Sequence, residues 1–400
     1  MNPSEQLEAL TSNASEVVPL AELEAKLKLG RPLRVKHGVD PTAPHVHLGW
    51  SVPLRKLRRF QELGHIAVLV LGDFTARIGD PSGQDKTRPM LSKEQVDAYA
   101  QAVLGEIKKI LLPERLEIRP NSEWLEALGT QGVLELASEY TVARTLERDD
   151  FAKRFADESP ITVREFLYPL LQAYDSVAVQ ADIEIGGTDQ HFTFMVARHI
   201  QRSYGQEPQV VMTFPLLEGT DGVKKMSQSL GNYIGITEKP DDMFGKLMRV
   251  PDELMPKYFR LVTDLPASEV DAVASQVDAG VLRPEEAKRR LAEEVVRMYH
   301  GADAAGDART HFDRLFKEHK IPEEIEVVDI PADAVTDGRI DVARLLKALS
   351  FAPSTSEARR LIAQGGVHVD GEVIATNEVA IDVLAGKVLR VGKRHFVRLR

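Results

Sequence analysis

Two short segments carry residue types suited to phosphate chemistry. The first is Gly38-Val39-Asp40-Pro41-Thr42, followed by His45-Val46-His47-Leu48-Gly49-Trp50. It falls between a strand expected over 33–39 and a helix expected over 47–63. In an open parallel sheet, ligands sit beyond the carboxyl ends of the strands. A helix N-terminus there offers free N–H groups and a positive dipole end to a phosphate. A histidine in the first turn can hydrogen-bond phosphate oxygens as charge develops, and Gly49 lets a base or ribose approach the backbone. The same residues also fit a loop with two surface histidines, or an adventitious His-x-His metal pair. The second segment is Lys224-Lys225-Met226-Ser227-Gln228-Ser229, in a Gly- and Ser-rich stretch. Small residues carrying lysines can close over a triphosphate. A lysine that grips the transition state harder than the ground state speeds pyrophosphate loss. An exposed basic loop is the plain alternative.

A third segment, Tyr168-Pro169-Leu170-Leu171-Gln172-Ala173-Tyr174-Asp175, places Tyr168, Gln172 and Asp175 on one face of a helix. A phenol, an amide and a carboxylate converging on one point suit a small zwitterion with a polar tip. The competing reading makes Tyr168 and Tyr174 core aromatics and Asp175 a helix-end charge. Other nucleotide motifs fail here. Gly79-Asp80-Pro81-Ser82-Gly83-Gln84 has no Lys after its last glycine and is no P-loop. No Gly-x-Gly-x-x-Gly follows an expected strand.

The elements that must position these residues are legible in outline. Leu48, Val52, Leu57, Phe60 and Leu63 keep helical spacing, with Pro53 early and Gly64 at the stop. Ile66 to Leu71 is a continuous apolar run, as a strand buried on both faces should be. Strand, helix and strand make a βαβ unit and imply an α/β doubly wound parallel sheet. The pattern returns with a strand at 181–185, a break at Gly186-Gly187, a helix at 188–204 and a strand at 209–213. Residues 1–32 read as an N-terminal helical segment and 33–233 as the nucleotide-binding domain, with a mostly helical insertion at about 86–179. An all-helical domain follows at 234–320, then a Pro-, Asp- and Glu-rich linker at 321–341. A small α+β domain closes the chain at 342–400.

Composition narrows the classes. The chain has 400 residues, 43% hydrophobic and 28% charged, enough for several cored domains. It contains no cysteine, which excludes disulfides, thiolate nucleophiles, thiolate zinc sites and iron–sulfur clusters. The start lacks the basic-then-apolar pattern of a signal peptide, and no apolar run is long enough to span a membrane. A cytoplasmic location is expected. The formal net charge is −10, yet residues 343–400 carry ten Lys or Arg against five Asp or Glu. A basic tail on an acidic body reads as an enzyme with a polyanion-binding attachment.

Together, in this order on a split sheet, the first two segments resemble the paired HIGH and KMSKS signatures of class I aminoacyl-tRNA synthetases. Tyr-x-x-x-Gln-x-x-Asp at Tyr168, Gly186-Gly187-Thr188-Asp189-Gln190, and Gly72-Asp73-Phe74-Thr75 through Gly83 resemble the tyrosyl-tRNA synthetases. Ser356-Glu357-Ala358-Arg359-Arg360-Leu361-Ile362 with Gly365-Gly366-Val367 resembles the small RNA-binding module that ends them. The resemblance implies tyrosine, ATP with Mg²⁺ and tRNA as ligands, no dedicated metal site, and a symmetric homodimer. It implies that Asp175 receives the tyrosine hydroxyl. Tyr168, Asp80 and Gln172 would hold the ammonium group, with Gln190 near the carboxylate and Lys36, Gly38 and Thr75 lining the pocket. Asp40, Thr42, His47 and Gly49 would approach the nucleotide, and Gly187 and Asp189 its ribose. Thr42, His47, Trp50, Lys224, Lys225 and Gln228 take the catalytic positions, Ser227 and Arg88 phosphate positions, and Arg359, Arg360, Lys393 and Arg394 the RNA. Rejection of phenylalanine would follow because a site built to bond a hydroxyl is left unpaired without it; tyrosyl-tRNA synthetases are themselves the standard example.

Three positions depart from the family pattern. Trp50 replaces the second histidine of HIGH, Gln228 replaces the second lysine of KMSKS, and Lys36 stands where tyrosine is frequent. Trp50 keeps an N–H donor and Gln228 an amide, but neither brings charge. Two readings follow: an active tyrosine–tRNA ligase, or a weakly active or non-catalytic relative that binds RNA or an aminoacyl nucleotide.

Overall fold

The computed structural model describes residues 1–80, 91–316, 325–336, 338–392 and 395–400. It divides into two compact units, Met1–Ala302 and Asp303–Arg400. The first is built on a six-stranded sheet: β1 (Glu16–Val18), β2 (Arg34–Val39), β3 (Ile66–Leu71), β4 (Leu116–Pro120), β5 (Ile183–Gly187) and β6 (Val210–Phe214). The order is β1-β6-β5-β2-β3-β4. β2 to β6 run parallel, and β1 joins β6 antiparallel at one edge. The apolar run of β3 is buried almost throughout, as its composition demands. The chain moves outward from β2 to β4, then crosses back to β5 on the other side. That reversal puts the ends of β2 and β5 side by side at the switch point, where an open α/β sheet leaves a crevice.

Three elements differ from expectation. The N-terminal segment is not all helical, because Glu16, Val17 and Val18 pair with Thr213, Met212 and Val211. The stretch 86–179 contains β4, whose Leu116 to Pro120 pair in register with Ala67 to Leu71. Its Leu-Glu-Ile-Arg-Pro sequence has no apolar run because it is an edge strand, half-buried along its length. Gly186 and Gly187 do not break the strand. They continue it, paired with Thr213 and Phe214. A Cβ at Gly186 would lie 2.6 Å from the Phe194 ring, so glycine serves close packing there.

The helices that matter to the site are α1 (Leu48–Glu62), α2 (Lys93–Ile107), α3 (Val163–Ala178) and α4 (His191–Ser203). α2 and α3 start with capping boxes, Ser92 with Gln95 and Thr162 with Glu165. Beyond 233 the unit is helical, with helices at Pro240–Leu247, Met255–Val262, Ala267–Asp278 and Pro284–His300. Proline sits in the first turn of three of them, where its missing N–H costs nothing.

In the second unit, α5 (Val342–Ala348) and α6 (Thr355–Ala363) pack with short strands. Residues 321–341, expected as a linker, supply β7 (Val327–Val328), β8 (Val335–Thr336) and β9 (Arg339–Asp341). β9 pairs with β12 (Glu378–Ala380), and β7 with β14 (His395–Leu399). Strands of two or three residues leave too short a pattern to read. β10 (Val367–Val369), β11 (Glu372–Val373) and β13 (Val388–Val391) complete the sheet that holds β14. Leu345, Leu346, Ile362, Val367, Leu389 and Val397 form its core. Among the described residues, no helix is long and apolar enough to cross a membrane.

Candidate active site

The first signature segment leaves β2 and enters α1. His47 is the N-cap of α1, with extended backbone, and its Nδ1 accepts the Trp50 backbone N–H at 3.4 Å. That bond leaves the ring hydrogen on Nε2. Burial, reinforced by the Lys225 charge, pushes the His47 imidazole down to about 4. The ring is therefore a neutral donor at physiological pH. Trp50 packs beside it with ring centroids 5.4 Å apart. Gly49 keeps this junction close: a Cβ would lie 3.1 Å from the His47 ring and 3.4 Å from Met226 Cβ, a tight fit.

Met226 belongs to the second signature segment, so the two meet in space. Leu48 N–H donates to the Ile234 carbonyl and Ile236 N–H to the Val46 carbonyl, both at 2.9 Å. Lys225 Nζ lies 2.9 Å from Asp189 Oδ2, at the end of β5. Gln228 turns away from this pair: its amide brackets the His45 backbone, accepting from the N–H at 3.3 Å and donating to the carbonyl at 2.6 Å. Ser227 is held by Asn232 Oδ1, which accepts its N–H at 2.9 Å. Lys224 is exposed.

Next to this lies a pocket of carboxylates. Asp40, at the end of β2, accepts Thr75 Oγ1–H at 2.7 Å and Tyr168 O–H at 2.9 Å. Burial, with the Asp80 and Asp175 charges adding, pushes its carboxyl up to about 7. Asp175 is 3% exposed and accepts Trp124 Nε1–H at 2.8 Å and Asn121 Nδ2–H at 3.3 Å. Burial pushes it up to about 6, against the opposing Lys36 charge. Gln190 Nε2 donates to Asp80 Oδ2 at 3.0 Å, and Gln172 Nε2 to Gln190 Oε1 at 3.4 Å. The Gln172 Oε1 acceptor is buried without a partner. Carboxylates and an unpaired amide oxygen around one space match a ligand with an ammonium group, since buried acceptors need donors. Tyr168, buried beside Asp40, is held well above the ordinary phenol range.

A family model described as class I tRNA synthetases (W and Y) matches residues 28–317, and an S4 domain model matches 342–378. The chain belongs to this synthetase family. Tyrosine–tRNA ligase of Moorella thermoacetica is 50% identical over 98% of the chain and 95% of its own length. That of Thermotoga maritima is 50% identical over 100% of the chain and 98% of its own length. In fold, the chain is similar to tyrosyl-tRNA synthetase from Aeropyrum pernix, with TM-score 0.62, 22% identity, and 78% and 98% of the two chains covered. The Archaeoglobus fulgidus enzyme complexed with L-tyrosine gives TM-score 0.62 and 24% identity over 77% and 99%.

Within this synthetase, Asp40, Thr75 and Tyr168 form one hydrogen-bonded set, which Asn121 joins to Asp175, and Gln172, Gln190 and Asp80 form a second. Thr42 is half-buried beside Asp40, whose carbonyl accepts the Thr42 N–H at 2.8 Å. Gly38 is exposed at the strand end, with open space where a Cβ would stand. A Cβ at Gly187 would meet Asp189 Oδ1 at 2.6 Å. Lys36, expected to line the amino-acid pocket, is engaged in the interior beside Gln172. It is 0% exposed, and its ammonium reaches Glu184 Oε1 and Ser176 Oγ at 2.8 Å and the Gln172 carbonyl at 3.0 Å. An ammonium with three interior partners has no donor left to offer. Arg359 and Arg360 are exposed on α6 of the second unit. Arg88, Lys393 and Arg394 lie outside the described residues.

Sequence reasoning missed Asn121 and Trp124. Asn121 follows β4, is 0% exposed, and also donates to Thr75 Oγ1 at 2.9 Å. It links the Asp40 and Asp175 carboxylates through Thr75. No local pattern marked either residue, because β4 lay in a stretch expected to be mostly helical.

Proposed function

We propose that this chain is a tyrosine–tRNA ligase. It joins L-tyrosine to ATP as tyrosyl-adenylate with release of pyrophosphate, then passes the tyrosyl group to the 3′ end of its tRNA. The observation that carries the reading is Asp175, a buried carboxylate held by Trp124 and Asn121 at the far side of a pocket ringed by Asp40, Asp80 and Gln172. An L-amino acid with a hydroxyl tip satisfies both ends: its ammonium meets the ring of acceptors and its phenol donates to Asp175. Full-length relatives named tyrosine–tRNA ligase support the same conclusion.

The tyrosine carboxylate oxygen attacks the α-phosphorus of ATP in line, and the bond to the bridging oxygen of pyrophosphate breaks. No covalent enzyme intermediate is needed. Neutral His47 donates from Nε2 to a phosphate oxygen, and Lys225 leaves Asp189 for the phosphates once the ribose hydroxyls claim that carboxylate. Both act where negative charge gathers, so catalysis is positioning plus charge stabilisation. Mg²⁺ would enter with ATP and supply positive charge to the pyrophosphate leaving group. In the second unit, Arg359 and Arg360 meet RNA phosphates. The protein works as a homodimer. Tyrosine-dependent exchange of labelled pyrophosphate into ATP tests the reading: exchange with tyrosine and none with phenylalanine is expected. Binding of tRNA without any exchange would replace it with a non-catalytic RNA-binding role.

A further inference from the structure

His45 precedes the catalytic histidine position and has no place in the chemistry, yet every polar group it owns except Nε2 is engaged. Gln228 takes its backbone N–H and carbonyl, at 3.3 and 2.6 Å. Glu106, at the end of α2, takes its ring, with Nδ1 3.1 Å from Oε1. The same carboxylate accepts the Val46 N–H at 2.6 Å and the Thr237 hydroxyl at 2.6 Å. Glu106 is 12% exposed and satisfied by three donors from two segments far apart in sequence. Neither Glu106 nor Gln228 points at Asp189, Lys225 or the carboxylate pocket.

We infer that Glu106 and Gln228 are positioning residues that fasten the two signature segments together through His45, holding Lys225 and His47 at a fixed separation before substrates arrive. Gln228 is thus a neutral fastener in a place where the family pattern has a lysine, and its lack of charge is not a deficit. An amide can donate and accept at once, as the backbone N–H and carbonyl of one residue require; an ammonium can only donate. Fixing the loop in advance removes part of the ordering cost that a free loop would meet at each turnover. Lys225 then needs only to swing its side chain.

The inference rests on the adenylate-forming reading, and the test separates the two. Gln228→Ala, Gln228→Lys, Glu106→Ala and the double variant Glu106→Ala/Gln228→Ala are compared with the native chain. Single-turnover adenylate formation, equilibrium binding of tyrosine, thermal melting and limited trypsin digestion are measured on each. Lys224 is exposed and Lys225 lies beside it, so trypsin reports directly on loop release. Each single variant is expected to slow adenylate formation about tenfold, leave tyrosine affinity within about twofold, and accelerate cleavage at Lys224 and Lys225 about tenfold with no comparable rise at other sites. The double variant should be little worse than either single one, because both residues act through His45. Gln228→Lys, whose digestion is not compared because the substitution adds a trypsin site to the loop, should slow adenylate formation as Gln228→Ala does. Faster adenylate formation in Gln228→Lys, or unchanged cleavage in Gln228→Ala, overturns the inference. A native chain that forms no adenylate while the variants still release the loop refutes the catalytic reading and leaves the fastening intact.

Discussion

Asp40→Asn should make the protein more stable at alkaline pH while it impairs the site. The Asp40 carboxyl stands at about 7 in the folded chain because burial and the Asp80 and Asp175 charges disfavour ionisation; an unfolded aspartate stands at 3.8. Between those values the folded chain keeps a proton that the unfolded chain has released. The stabilisation this gives is complete below 3.8 and is lost as pH rises through about 7. From about pH 5.5 to about pH 8, the loss is about 2 kcal/mol at ~1.4 kcal/mol per pH unit. Asp40 keeps partial solvent contact, which trims this to about 1–2 kcal/mol. An asparagine does not titrate and fits the same bonds. Its oxygen accepts from Thr75, now at 2.7 Å, and its amide donates to the Tyr168 hydroxyl, now at 2.9 Å, after that hydroxyl rotates. Thermal melting of the ligand-free chain at both pH values reads the difference. The native protein should lose a few degrees more than Asp40→Asn between the two conditions, and Asp40→Asn should exchange pyrophosphate more slowly. Equal pH responses of the two proteins would refute the claim that its surroundings hold the proton on Asp40 in the folded chain.

Asp175→Asn should cut the preference for tyrosine over phenylalanine about 10- to 150-fold, the worth of a hydrogen bond to a charged group, with ATP affinity little changed; exchange assays with both amino acids measure it, and an unchanged preference would remove Asp175 from the hydroxyl end. In the native enzyme, kcat/KM for tyrosine should fall as pH drops through about 6, where Asp175 takes up its proton; a flat profile down to pH ~5 would contradict its role as acceptor. Replacing Arg359 and Arg360 together by alanine should weaken tRNA binding and lower the slope of log affinity against log salt by up to about 2, leaving adenylate formation untouched; an unchanged slope would place the RNA elsewhere.

Much of this was legible in residue order. The apolar run of β3, the helical spacing of α1 and the face of α3 that carries Tyr168, Gln172 and Asp175 are local patterns, set by side-chain periodicity within one element. The signature residues Asp40, His47, Gly49 and Lys225 stand in short motifs at element ends, and Asp189 and Gln190 were reached through the family resemblance those motifs carry. The sequence by itself therefore determined which elements form and which chemistry-bearing residues they present. Only the tertiary structure decided what each side chain faces. Lys36 and Gln228 look like charge and loss of charge at an active site. Packing gives Lys36 to Glu184 in the interior and Gln228 to the backbone of a residue remote in sequence. Asn121, Trp124 and Glu106 carry no local signal at all. Their roles exist because an edge strand joins the sheet, and because α2 ends beside the first signature loop. Hydrogen bonds reach about 3 Å whatever the distance along the chain, so partners that meet only through folding leave no periodic trace in sequence.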